Sequence, residues 1–222
     1  MTARVLVPEL RLTETMSGDQ VSCAAVLFDL DGTLVDSRLC VERTWLAWCH
    51  AHGLDSASLF RISAGRRNRD AVREIAPHLD VEREVAWLMR AEERCRDGLT
   101  AVAGAPCLLS QLPRTRWAVV TSAWRRLTKI RLEATGLPFP DVAICADDVV
   151  HGKPHPEGYL RAAEQIGADP GDCVVVEDAA AGRRAAAAAS MRTIGVTAPT
   201  EVDDAGCLWQ VQNLTTLRVS TP

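Results

Sequence analysis

The segment from Cys23 to Ser37 constrains this chain more than any other. It reads Ala24-Ala25-Val26-Leu27-Phe28, then Asp29, Leu30, Asp31, Gly32 and Thr33. The apolar run has strand character and ends in two carboxylates one residue apart. Side chains of a strand alternate faces, so Asp29 and Asp31 share a face if the strand continues. Gly32 then permits a tight turn that a residue with a Cβ resists. Two acids aimed into one small space repel each other. Such a pair needs a divalent cation, a shared proton or a division of catalytic labour. Turn chemistry alone also favours Asp and Gly, so the rest of the chain has to decide between the two.

Downstream, the pattern alternates. Residues 117–121, 142–145, 173–176 and 192–196 are short apolar runs that predict strands. Residues 125–135 and 157–166 predict helices, stopped by Gly136 and Gly167, and an Ala-rich helix is expected through Ala189. Between the first strand and this series, Val41, Trp45, Trp48, Cys49 and His52 recur at helical spacing, and residues 68–78 and 81–96 share that texture. Trp45, Trp48 and Trp87 are expected in the core of this helical insert. The fold expected is α/β: a doubly wound, Rossmann-like parallel sheet with an all-helical insert after the first strand. The expected division is a flexible extension over residues 1–22, a core of residues 23–36 and 101–222, and a helical insert over residues 37–100. Residues 1–22 show no steady periodicity, and a natural start at Met16 fits that reading.

In such sheets, ligands bind beyond the carboxyl ends of the strands. Asp29, Thr121, Glu177 and Asp178 all fall at those ends. A carboxylate such as Asp29 can attack an electrophile and form a covalent intermediate. Asp31 can protonate a leaving alkoxide and then deprotonate a water. Thr121 and Ser122 can hold anionic oxygens, and Lys153 can offset the charge of an incoming anion. Only Lys129 and Lys153 are lysines in a chain with 25 Lys and Arg together, which suggests that Lys153 is kept for its compact ammonium. Asp178 and Glu177, with Asp29 and the Asp31 carbonyl, make the oxygen-rich set that Mg²⁺ prefers. His151 and His155, which flank Lys153, read as polar packing, and Asp147 and Asp148 as loop structure.

Composition narrows the partners. A formal net charge of −4 gives no sign of a nucleic-acid or membrane binder. No apolar run reaches the roughly 20 residues that a spanning helix needs, and the N-terminus does not read as a secretory signal. The 8 cysteines lack Cys-x-x-Cys spacing and read as small buried hydrophobes in a reducing cytoplasm.

Four motifs, in order, resemble those of the haloacid dehalogenase-like hydrolases. They are Asp29-Leu-Asp31-Gly-Thr33-Leu-Val-Asp36-Ser37, Val119-Val120-Thr121-Ser122, Gly152-Lys153-Pro154-His155-Pro156, and Val174-Val175-Val176-Glu177-Asp178. The resemblance spans roughly residues 24–196 and is nearest to the sugar- and polyol-phosphate phosphatases with a helical C1-type cap. It implies that Asp29 is the nucleophile, Asp31 the general acid/base, and Thr121, Ser122 and Lys153 the phosphate ligands. Asp29, Asp31 and Asp178, supported by Glu177, are implied to hold Mg²⁺. Gly65, Arg66 and Arg67 match a cap segment that contacts substrate in such enzymes. The second aspartate argues against dehalogenation. The absence of lysine from residues 37–100 argues against phosphonate cleavage and against a β-phosphoglucomutase-like role. Ala123-Trp124 departs from the Gly and small polar residue common after the second motif, and places a tryptophan beside the phosphate pocket. The expected function is Mg²⁺-dependent hydrolysis of a small sugar or polyol phosphate through an aspartyl-phosphate. The alternatives are a sugar phosphomutase and a noncatalytic phospho-ligand-binding protein. The expected partner is a small phosphorylated metabolite, with no nucleic acid or membrane, and the chain is expected as a monomer or weak homodimer.

Overall fold

The computed structural model describes residues 9–56, 59–196 and 206–221. Its centre is β3 (Ala25–Phe28), buried along its whole length. On one side β3 pairs with β6 (Trp117–Val120), which pairs with β7 (Val142–Ile144). On the other it pairs with β8 (Cys173–Glu177), followed by β9 (Arg192–Val196) and β10 (Cys207–Val211). All five pairings are parallel, and the spatial order is β10-β9-β8-β3-β6-β7.

Both faces of this sheet are covered, which is why its strands are continuously apolar rather than alternating. Val26, Phe28, Trp117, Val119, Val174 and Val176 point to one face, where Leu108 and Leu109 of α5 (Ala105–Gln111) and Leu132 of α6 (Arg125–Thr135) meet them. Ala25, Leu27, Ala118, Val120 and Val175 point to the other. There they pack on Tyr159, Ala162 and Ala163 of α7 (Glu157–Ile166) and on Ala185 and Ala186 of α8 (Ala180–Ala188). The alanines of α8 let it lie close to the sheet.

The cap is helical as expected. It consists of α1 (Arg38–His52), α2 (Leu59–Ser63), α3 (Asn68–Ile75) and α4 (Val81–Arg94). Trp45, Trp48, Leu59, Val72 and Leu88 form its own core. Trp87 is not part of that core: it lies at the surface, 37% exposed. The chain leaves and re-enters the main sheet through β4 (Val35–Asp36) and β5 (Thr100–Ala101). These pair antiparallel and clasp the two linkers together.

The N-terminal segment departs from expectation. It contains β1 (Leu10–Glu14) and β2 (Gln20–Cys23), which join β11 (Leu217–Ser220) in an antiparallel sheet of order β11-β1-β2. Residues 1–8 lie outside the described residues. Leu10, Leu12, Val21, Cys23 and Leu217 turn into the main core, so residues 10–23 are an integral layer and not a flexible extension. A start at Met16 would remove β1, the middle strand. Glu14 closes the hairpin by accepting from the Met16 and Ser17 amides at 3.1 and 2.7 Å.

Candidate active site

Asp29, Glu177 and Asp178 stand where strands stop. Asp29 follows β3, and its amide donates to the Val176 carbonyl at 3.0 Å, extending the β3–β8 ladder by one rung. The chain then turns sharply: the amides of Leu34 and Val35 both donate to Leu30 O at 2.9 Å, and Gly32 has φ +86°. A Cβ on Gly32 would lie 1.9 Å from Asp178 Oδ2. Glycine is therefore required twice there, by backbone conformation and by the approach of a carboxylate.

Lys153 lies between two of these acids. Its ammonium donates to Asp29 Oδ1 at 2.5 Å and to Glu177 Oε2 at 2.7 Å, with 6% of the residue exposed. Tyr159 OH donates to the same Glu177 oxygen at 2.5 Å, and the Ala179 amide donates to Oε1 at 3.2 Å. Burial opposes the Lys153 charge, but Asp29 and Glu177 outweigh it and push its pKa up. Burial, followed by the Glu177 charge, pushes Asp29 up to about 7, while Lys153 pulls it back. Burial together with Asp29 also raises Asp178.

Carboxylate oxygens of Asp29, Glu177 and Asp178 lie within 4.8 Å of one another, and Asp178 Oδ1 is buried with no hydrogen-bond partner among the described residues. Clustered hard oxygens with an orphaned buried acceptor fit a divalent cation such as Mg²⁺. Glu177 has less to offer one, because Lys153, Tyr159 and the Ala179 amide already occupy it. Its evident work is to hold Lys153.

Thr121 follows β6 and is buried, and its Oγ1 accepts from the Ala123 amide at 3.0 Å. Ser122 Oγ donates to the Gly65 carbonyl of the cap at 2.8 Å. Asp29, Asp31, Thr121, Ser122 and Asp178 therefore meet in one cavity of about 280 Å³ under the cap, with Gly65 and Arg66 on its upper wall. Arg66 donates to Glu74 at 2.6 Å. Arg67 is absent from that wall. It forks onto Asp70 at 2.7 and 3.2 Å and donates to the Val149 and Val150 carbonyls at 3.2 and 3.1 Å. It thus ties the cap to the Lys153 loop, and a Cβ on Gly152 would strike its Nε at 2.5 Å. Trp124 lines the cavity as expected, and its Nε1 donates to Glu93 of α4 at 3.1 Å.

Sequence reasoning missed one buried polar chain. Ser37 Oγ donates to Asp31 Oδ1 at 2.7 Å, and Arg131 Nη1 donates to Asp31 Oδ2 at 2.5 Å. Nη2 of the same guanidinium lies 3.8 Å from Glu92 of α4, whose other oxygen accepts from Asn68 at 2.9 Å. Arg131 and Glu92 are 3% and 5% exposed. Burial pushes the Glu92 carboxyl up, while Arg131 and Asn68 pull it down. The available signal was positional: Arg131 shares the inward stripe of α6 with Leu127, Thr128 and Leu132, and Glu92 shares that of α4 with Leu88.

A family model described as haloacid dehalogenase-like hydrolase matches residues 23–190. The chain belongs to this family. It is 39% identical over 184 residues to hexitol phosphatase A of Escherichia coli, covering 81% of this chain and 85% of that one. It is 32% identical over 225 residues to 2-deoxyglucose-6-phosphate phosphatase 1 of Saccharomyces cerevisiae, covering 90% and 92%. Among solved structures, a hydrolase from Pseudomonas syringae superposes with a TM-score of 0.79 at 26% identity, covering 87% of this chain and 95% of that one. Within the family, the chain stands in the branch of sugar- and polyol-phosphate phosphatases, and it is an enzyme of the phosphatase class.

Proposed function

We propose that this chain hydrolyses the phosphate monoester of a small sugar or polyol, with Mg²⁺ as cofactor and an aspartyl-phosphate as intermediate. The observation that carries the reading is the placement of Asp29, beside the buried Lys153 ammonium and at the floor of a cavity that also holds Asp31, Thr121 and Asp178. Asp29 Oδ attacks phosphorus. Asp31 gives a proton to the departing alkoxide and later takes one from the water that opens the acyl phosphate. Thr121 and Ser122 stand at the strand end, where they can donate to the phosphoryl oxygens. Lys153 neutralises charge as two anions approach.

Asp29, Asp178 and the Asp31 carbonyl would hold the cation, which supplies charge neutralisation to the phosphoryl group. Hexitol phosphatase A and 2-deoxyglucose-6-phosphate phosphatase 1 support the sugar or polyol substrate class by similarity. The division into a core and a cap over residues 37–100 belongs to the same proposal. A monomer or weak homodimer belongs to the same proposal. A cytoplasmic location is supported by the buried free thiols of Cys23, Cys40, Cys49, Cys145 and Cys173. No helix among the described residues is long and apolar enough to cross a membrane.

The test is a phosphate-release screen over sugar and polyol phosphates, with and without Mg²⁺, for the wild type and Asp29→Asn. Turnover is expected only with Mg²⁺, and only in the wild type. Retained turnover by Asp29→Asn would refute the assigned nucleophile.

A further inference from the structure

The Arg131–Glu92 gap is a half-made contact. The two groups face each other across the cap–core boundary at 3.8 Å, beyond hydrogen-bond reach, and both line the cavity. Arg131 Nη2 is buried and has no hydrogen-bond partner among the described residues. A buried donor without a hydrogen bond is costly, so a group that bridges this ion pair from the cavity side and bonds both partners is favoured.

The gap presents a donor on the core side and an acceptor on the cap side. A hydroxyl is the small group that accepts and donates at one atom. An ether or ring oxygen only accepts, and would meet the Glu92 carboxylate with nothing to donate. A second phosphate or a carboxylate would be repelled by it. Position adds the rest. The other nitrogen of the same guanidinium holds Asp31 at 2.5 Å, and Asp31 serves the ester oxygen. The gap therefore lies one group beyond that oxygen, at the carbon next to the phosphorylated one.

We propose that Arg131 and Glu92 together read a hydroxyl vicinal to the phosphoester. The enzyme then selects acyclic polyol phosphates over pyranose 6-phosphates, in which the ring oxygen replaces that hydroxyl. This rests on the phosphatase reading and specifies its substrate. Asn68 orients the acceptor by donating to the second Glu92 oxygen. In Glu92→Gln that bond would hold the amide oxygen on Asn68 and turn its NH₂ toward Arg131, leaving two donors face to face.

The test compares kcat/KM for 1,2-propanediol 1-phosphate, which has the vicinal hydroxyl, and 1,3-propanediol monophosphate, which has the same atoms without it. The wild type is expected to prefer the first by about tenfold or more. Glu92→Gln and Glu92→Ala are expected to bring the ratio close to one. Because the ratio is taken within one preparation, it does not depend on how much of a variant is folded. Equal use of the two esters by the wild type overturns the proposal, as does a ratio in both variants that stays within about twofold of the wild-type value. A wild type that releases no phosphate from these esters or from p-nitrophenyl phosphate instead overturns the phosphatase reading itself, and the hydroxyl reader with it.

Discussion

Lys153 and Asp29 form a 2.5 Å ion pair although 124 residues separate them in the chain. The Glu177 carboxylate holds the other side of the ammonium at 2.7 Å. Two buried acids, Asp29 and Glu177, thus share one buried lysine, with the half-buried Asp178 beside them, and the excess negative charge gives the site its behaviour. After burial, it raises the Asp29 pKa in the bare protein, and it leaves a deficit that a divalent cation would offset.

That deficit predicts a pH-dependent stability. With Asp29 pushed up to about 7 from an ordinary 3.8, the folded state binds more protons than the unfolded state between those values. Stability from this group is then greatest below about pH 4 and falls as pH rises toward 7. The ceiling is about 4 kcal/mol, from roughly three pH units at 1.4 kcal/mol each. In EDTA-treated protein, Asp29→Asn is expected to melt above the wild type at pH 7.5, with the gap closing toward pH 4.5. Melting curves followed by circular dichroism check this, and parallel curves across the range would contradict it.

Gly182 sits inside α8, where alanine is ordinarily worth about 1 kcal/mol more than glycine. Here a Cβ would lie 1.9 Å from Glu177 Oε2, the oxygen that also serves Lys153 and Tyr159. The steric conflict outweighs the propensity. Gly182→Ala is expected to lower stability by about 1–3 kcal/mol and to cut kcat by displacing Lys153. Urea denaturation and steady-state kinetics on the same sample report both effects.

Much of this was legible in the sequence because the signals were local. Continuous apolar strands ending in Asp29, Thr121 and Glu177, and glycines after α1, α6 and α7, mark the parallel core and its catalytic edge. What escaped depended on partners far away. Leu10–Glu14 alternates cleanly in burial, yet its strand partner Leu217–Ser220 lies at the other end of the chain. The β4–β5 clasp is only two residues on each side. Arg131 and Glu92 look like ordinary surface charges until α4 and α6 are brought together, because a charged residue on a buried stripe is recognised only when its counterpart is known. The tie that Arg67 makes from cap to core escaped for the same reason: its partners, the Val149 and Val150 carbonyls, are supplied by a loop about 80 residues on.

Arg67 therefore tests the cap rather than the substrate. It joins α3 to the Lys153 loop through four hydrogen bonds, two of them to backbone carbonyls of the core. Arg67→Ala is expected to loosen cap closure, raising KM about tenfold and costing about 1–3 kcal/mol of stability. The change in KM should exceed that in kcat, since no atom of Arg67 lines the large cavity. A variant with unchanged KM and altered kcat would instead assign Arg67 to the chemistry.

The cation site makes the last prediction. Asp178 Oδ1 is buried and has no hydrogen-bond partner among the described residues, and a Gly32 Cβ would lie 1.9 Å from its Oδ2. A ligand that binds only the folded state adds about 2.7 kcal/mol at a hundredfold excess over its Kd, which in a chain of this size raises Tm by roughly 5–10 °C. Mg²⁺ is expected to raise the Tm of the wild type in this way. Asp178→Asn removes the anionic oxygen and is expected to abolish the shift while keeping the fold. Gly32→Ala adds a clash to a φ of +86°, so it is expected to lower the metal-free Tm as well as to lose the Mg²⁺ response. Differential scanning calorimetry with and without Mg²⁺ separates the two variants. A full Mg²⁺ shift in Asp178→Asn would move the cation away from the acids of this site.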